Sequence, residues 1–128
     1  MKALLDTRTF LWWNLDDPQL SDTVREFIGD GRNEIFLSAA SVWEIAIKYS
    51  KGRLVLPDKP ERYVAQRLTR HRFSSLPIQL SHAAQVYRLP DIHTDPFDRL
   101  LIVQSQLEEL PLLTVDVQIA RYDVNVIW

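Results

Sequence analysis

HTDPFDRLLIVQSQLEEL, residues 93–110, is the stretch on which the reading of the whole chain turns. Asp95 followed by Pro96 marks a helix start. The carboxylate can accept from free backbone amides, and proline brings a preset φ and no N–H to a position that needs none. The helix then runs into Leu100-Leu101-Ile102-Val103, apolar on nearly every side, so it is expected to lie largely in the core. Asp98 shares a helix face with Leu101 and Ile102. An acid held that close to a core needs a partner, because an unpaired carboxylate is costly to bury.

Outward from this helix the chain alternates short apolar runs with helical patterns. Lys2–Leu5, Glu34–Leu37, Leu76–Ile78, Leu112–Thr114 and Val124–Ile127 read as strands. Thr9–Leu15, Ser21–Asp30, Ser38–Lys51, Glu61–His71 and Ser81–Leu89 read as helices, with a further helical turn at Val117–Arg121. Ser21 is a natural cap for the second helix, and the Gly29/Gly31 pair is expected to close it. Gly52 is expected to end the third. Alternation of this kind predicts βαβ units and a parallel sheet covered on both faces. No repeat, linker or low-complexity segment interrupts it, so residues 1–128 are expected to form one domain.

Composition narrows the possibilities further. An apolar fraction of 46% and a charged fraction of 25% suit a globular domain. Cysteine is absent, which excludes disulfides and thiolate metal sites. The opening MKALLDTRTFLWW is interrupted by Asp6 and Arg8 and reads as neither leader nor membrane span, so the expected location is cytoplasmic, with no membrane partner. A net charge of −2 does not suggest a protein that coats DNA, yet a bound cation can reverse the local sign of an acidic site.

Four acids fall where open α/β sheets place their chemistry, at strand ends or on the first turns beyond them. Asp6 ends the first strand, Glu44 lies in the helix after the second, Asp98 begins the central helix with Asp95 behind it, and Asp116 follows the strand ending at Thr114. Each has a local explanation. Asp6, Thr7, Asp95 and Asp116 are all suitable caps, Ser41-x-x-Glu44 fits a capping box, and Glu44 with Lys48 makes an i, i+4 pair. Gathered in one cleft, however, carboxylates from several strand ends would repel one another, raising pKa values or recruiting a cation. With no cysteine and no clustered histidines the ligands would be oxygens, which suits Mg²⁺ or Mn²⁺ and the in-line hydrolysis of phosphodiesters.

The motifs D-T-x-x-F-L-W-W at 6–13, S-x-x-S-V-W-E-I-A-I-K at 38–48, G-R-L-x-L-P at 52–57 and H-x-D-P-F-D-R-L-L-I at 93–102, with T-V-D at 114–116 and V-x-V-I-W at 124–128, resemble the PIN-domain ribonucleases, in particular the VapC-type toxins of prokaryotic toxin–antitoxin pairs. Each motif alone is weak; their order along the whole chain is specific. The resemblance implies an α/β/α sandwich with a five-stranded parallel sheet and a Mg²⁺- or Mn²⁺-dependent RNase site. It also implies an RNA substrate, a small DNA-binding antitoxin as partner, and a homodimer. Carried over by position, the metal-site acids are Asp6, Glu44 and Asp98. Asp116 completes the pocket as a weaker or second-metal ligand and Thr114 orients it, with Asp95, Thr7 and Ser41 in support. Where the subgroup usually reads D-T-H after the first strand, this chain has Arg8, so substrate contacts there are expected to differ.

Basic residues near the site are Arg8, Lys48, Lys51 and Arg53; the last three follow Glu44 along its helix and exit, where they would meet RNA phosphates. His82 and His93 are read as structural, and Trp12, Trp13 and Trp43 as core, with a share of them at a dimer surface. Two other functional classes compete. A haloacid-dehalogenase-like phosphatase needs D-x-D after the first strand, and Arg8 occupies the second position. A non-catalytic α/β module binding RNA or protein would use the acids only as caps, and would show no affinity for divalent metal.

Overall fold

A computed structural model describes residues 1–128. Five strands form one parallel sheet: β1 (Lys2–Leu5), β2 (Glu34–Ser38), β3 (Ser74–Leu76), β4 (Leu112–Leu113) and β5 (Val126–Ile127), in the order β3-β2-β1-β4-β5. Register is set by pairs such as Leu4 with Phe36 on one side of β1 and Leu4 with Leu112 on the other. The connecting helices are α1 (Thr7–Leu15), α2 (Asp22–Gly29), α3 (Ala39–Ser50), α4 (Pro60–His71), α5 (Leu80–Gln85) and α6 (Pro96–Glu108), with 3₁₀ turns at Val86–Arg88 and Ile119–Arg121. None of these helices is long and apolar enough to cross a membrane.

The pleat of the central strand divides the core in two. Ala3 and Leu5 point into a cluster with Phe10, Val24, Ile28, Tyr63 and Phe73, from α1, α2, α4 and the residue just before β3. Leu4 points the other way, into a cluster built mainly from Leu100–Val103 of α6 with Leu112, Ile119 and Tyr122. Alternate residues of one strand facing two cores is the signature of a sheet covered on both faces, the expected three-layer α/β/α sandwich.

Sequence and structure differ mostly at element ends. α1 starts at Thr7, two residues earlier than its apolar pattern suggested, because Asp6 caps it through Thr9 N–H. The second helix closes at Asp30 with an ordinary negative φ, so neither Gly29 nor Gly31 supplies a left-handed turn. Gly52 does, at φ 69°. The third strand lies at Ser74–Leu76, ahead of Pro77, whose missing N–H cannot join a ladder. The helix read over Ser81–Leu89 breaks into α5 and a 3₁₀ turn. Ser38, and not Ser41, caps α3, so Ser41 and Glu44 sit within the helix and the capping-box reading of that pair fails.

Candidate active site

β1 is flanked by β2 on one side and β4 on the other, so the chain reverses its direction of growth across the sheet between β1 and β4. Connections leave to opposite faces at such a point, and a crevice opens beyond the strand ends. A cavity of about 220 Å³ lies at the strand ends, lined by Asp6, Thr7, Arg8, Leu11, Glu44, Lys48, Asp95, Asp98 and Asp116. Five acids face two bases there, and only one apolar side chain contributes to the wall.

Each acid is fixed by hydrogen bonds that leave part of its carboxylate for the cavity. Asp6, 5% exposed, uses Oδ1 to accept from Thr9 N–H at 2.7 Å and Oδ2 to accept from Thr114 Oγ1 at 2.5 Å. Thr9 Oγ1 donates to Leu113 O, tying the first turn of α1 to β4. Glu44, 6% exposed, accepts from Thr7 Oγ1 at 2.7 Å on one oxygen and pairs with Lys48 Nζ at 2.6 Å on the other. Thr7 has a single hydroxyl hydrogen, which goes to that carboxylate, so the Ser41 hydroxyl 2.9 Å away donates to Thr7. Asp95 Oδ1 caps α6 through Phe97 and Asp98 N–H. Asp116 Oδ1 accepts from Gln118 N–H, while Thr114 Oγ1 accepts from Asp116 N–H. Capping and pocket-building are therefore roles of the same carboxylates.

The structure adds a residue that the sequence had made merely structural. His93 Nε2 lies 3.1 Å from Asp98 Oδ2 and 3.0 Å from Asp116 Oδ2. Its Nδ1 accepts from Asp95 N–H, so the hydrogen resides on Nε2 and is directed at the two acids. His93 and the carboxylates of Asp98 and Asp116 offer atoms within 4.8 Å of one another. In this tautomer, however, Nε2 has no lone pair for a cation, and His93 acts as a hydrogen-bond bridge. The sequence signal was its position two residues before the cap Asp95.

Charge is concentrated enough to move protons. Burial pushes the Asp98 carboxyl up to about 7; Asp95, Asp6 and Glu44 add to the rise, and His93 opposes it. Burial raises Asp6 as well, against hydrogen bonds from Thr114 and Thr9 and the charge of Arg8. For Asp116 burial also acts upward, but the His93 hydrogen bond and the amides of Gln118 and Ile119 outweigh it and hold the group below the usual range. A nest of acids at odds with one another is a site that a divalent cation relieves. The available donors are carboxylate oxygens of Asp6, Glu44, Asp98 and Asp116, a hard set that fits Mg²⁺ or Mn²⁺.

Several expected residues stand apart. Lys51 and Arg53 lie beyond the end of α3, exposed, and do not line the cavity. Lys48 reaches it but is engaged with Glu44. Arg8 lines the cavity with its guanidinium 5.7 Å over the Trp12 ring. Ser41 and Thr114 are buried behind the acids they support. Trp43, read as core, is 56% exposed and packs edge-on against Phe97 at 5.0 Å.

The PIN domain family profile matches residues 3–125. The chain belongs to the PIN domain family. Ribonuclease VapC16 of Mycobacterium tuberculosis is 45% identical to this PIN domain over 60 residues, covering 47% of this chain and 43% of that protein. The alignment thus spans less than half of the curated relative. Solved PIN-fold structures align over nearly the whole length. VapBC2 from Rickettsia felis, bound to a DNA fragment from its promoter, matches with a TM-score of 0.73 at 15% identity, over 100% of this chain and 99% of that one. FitAcB from Neisseria gonorrhoeae matches with a TM-score of 0.65 at 22% identity, over 100% and 97%. These likenesses carry the fold: the five-stranded parallel PIN sandwich is the architecture read from the sequence. In this PIN domain, acids from four separate segments meet at the switch point of the sheet, held by threonine and serine hydroxyls.

Proposed function

We propose that this PIN domain is a Mg²⁺- or Mn²⁺-dependent endoribonuclease and acts as the toxin of a type II toxin–antitoxin pair in the cytoplasm. The observation that carries the reading is the convergence of Asp6, Glu44, Asp98 and Asp116 on one cavity, with Asp98 forced up to about 7 by burial and its acidic neighbours. When bound, the cation supplies charge neutralisation and an acidified water for in-line attack on a phosphodiester. The chain's own residues hold its ligands. Asp6 is braced by Thr114 and Thr9, Glu44 by Thr7 and Ser41, and Asp98 and Asp116 are bridged by His93. Arg8 and Lys48 form a basic rim for RNA phosphates, and Lys51 and Arg53 extend it past the helix end.

The partners that follow are RNA, a second copy of the chain, and a small DNA-binding antitoxin. An arginine or lysine from that antitoxin, entering a cleft of five acids, would pair with carboxylates and displace the cation together. The deciding experiment is cleavage of RNA by purified protein with Mg²⁺ or Mn²⁺ present. Cleavage is expected to stop with excess chelator and resume on re-addition of metal; cleavage indifferent to EDTA would sink the metal reading. Co-expression with the protein encoded beside it is expected to yield a stable complex on size exclusion, and failure to form one would remove the antitoxin reading.

A further inference from the structure

Away from the cavity, Ser38, His82 and Gln104 form a buried polar cluster, each with no exposed surface. Gln104, on α6, is their centre. Its Oε1 accepts from Ser38 Oγ at 2.5 Å, and its Nε2 donates to Pro77 O at 3.3 Å and faces His82 Nδ1 at 3.3 Å. His82 Nδ1 also accepts from Gln79 N–H at 2.9 Å, so its hydrogen is on Nε2, which donates to Glu108 at 3.2 Å. Pro77 O can only accept, and His82 Nδ1 in this tautomer carries no hydrogen, so both call for the NH₂ end of Gln104. Pro77 O and His82 together therefore turn the Gln104 carbonyl toward Ser38.

Ser38 is the cap of α3, its Oγ accepting from Ala40 N–H. Gln104 thus grips the start of the helix that carries Glu44, from the helix that carries Asp98. The spacing is reciprocal. Glu44 lies six residues after Ser38, and Asp98 lies six residues before Gln104. With Ser38 against Gln104 and Trp43 against Phe97, α3 and α6 run antiparallel where they touch. Six residues is about 9 Å along either axis, so the hydrogen bond and the two acids share one register. A slip of a single turn, about 5.4 Å, would part Glu44 from Asp98.

We infer that Gln104, oriented by Pro77 O and His82, is a positioning residue that sets α3 against α6 so that Glu44 and Asp98 face the same cavity. The consequence for metal rests on the function proposed above; the register does not. The test uses Gln104→Leu and the milder Ser38→Ala. Ser105→Ala serves as control, since it removes another buried hydrogen bond of α6, to Leu110 O, without touching α3. All three variants are expected to melt below wild type. Calorimetric titration with Mn²⁺ is expected to show about a tenfold loss of affinity in the first two and none in the control. RNA cleavage is expected to lose kcat in the same two at unchanged KM. The Trp43 indole resonance, shifted by the Phe97 ring, reads the register without metal. It is expected to move in Gln104→Leu and Ser38→Ala and to stay in Ser105→Ala. If the first two variants match Ser105→Ala in both Mn²⁺ affinity and Trp43 resonance, Gln104 is core packing and the inference falls. If wild type binds no Mn²⁺, the proposed function falls and the Trp43 resonance alone decides the register.

Discussion

Asp98→Asn separates a metal ligand from a residue that merely begins a helix. The cap of α6 is Asp95, whose Oδ1 takes the Phe97 and Asp98 amides, so the substitution leaves the cap intact. Asparagine is nearly isosteric and still offers His93 an acceptor. What disappears is a charge that burial and its neighbours oppose, with the carboxyl at about 7 against an ordinary 3.8. Between those values the native protein holds a proton that the unfolded chain has lost. Raising the pH through that window therefore costs stability, and the loss is complete above about 7. At roughly 1.4 kcal/mol per pH unit the cost is at most about 4.5 kcal/mol. Asparagine escapes it while giving up about 0.3–1 kcal/mol of favourable charge at the helix start.

Without metal, wild type and Asp98→Asn are thus expected to melt alike below about pH 4 and to diverge progressively toward pH 8. Near pH 8 the variant should be higher by up to ~15 °C, taking roughly 4 °C per kcal/mol for a domain of this size. Metal narrows the gap. At a hundred times its dissociation constant it adds about 2.7 kcal/mol, or another ~10 °C, to wild type. The variant should show little of that rise. Melting curves at both pH values, with and without Mg²⁺ or Mn²⁺, contain the whole test. Equal metal-induced shifts in the two proteins, together with no divergence near pH 8, would refute the reasoning.

Other predictions follow from single contacts. Thr114→Val removes a donor to buried Asp6; it is expected to cost about 1–3 kcal/mol in chemical denaturation and to push the Asp6 carboxyl further up, an outcome that carboxyl NMR would detect. His93→Ala removes the bridge between Asp98 and Asp116, so both carboxyls are expected to titrate higher than in wild type. An unmoved Asp116 would show that the amides of Gln118 and Ile119 suffice. Glu109 closes α6 at φ 54°, where a side chain is strained, and Glu109→Gly is expected to raise stability by up to ~1 kcal/mol; a fall would mean that its side chain holds the turn.

Much of the fold was legible because its determinants are short-range. Asp95-Pro96 fixed the start of α6 through the chemistry of adjacent residues, and its apolar run placed it in the core. Alternating strands and helices specified a parallel sheet, since parallel neighbours need crossovers to cover both faces. Asp6 and Asp116 were legible because they closely follow β1 and β4, and Glu44 and Asp98 because they lie in the early turns of α3 and α6. Local pattern failed where two local readings competed. Ser38 and Ser41 both suit a helix start, and only the extension of β2 to Ser38 chose between them.

The tertiary structure decided what each side chain does with its second bond. Asp6 caps α1 with one oxygen and meets Thr114, 108 residues away, with the other; sequence exposed the first role and left the second open. His93 looked structural beside its own cap and became the bridge between acids because β4 delivers Asp116 to it. Trp43, read as core, left it for a surface edge against Phe97, which α6 brings to it. Helix periodicity and caps are set by neighbours within about four residues, and these the sequence carries openly. Partners brought together by the sheet are set by strand order and register, so the hydrogen bonds that shape the cavity exist only once β1, β2 and β4 lie side by side.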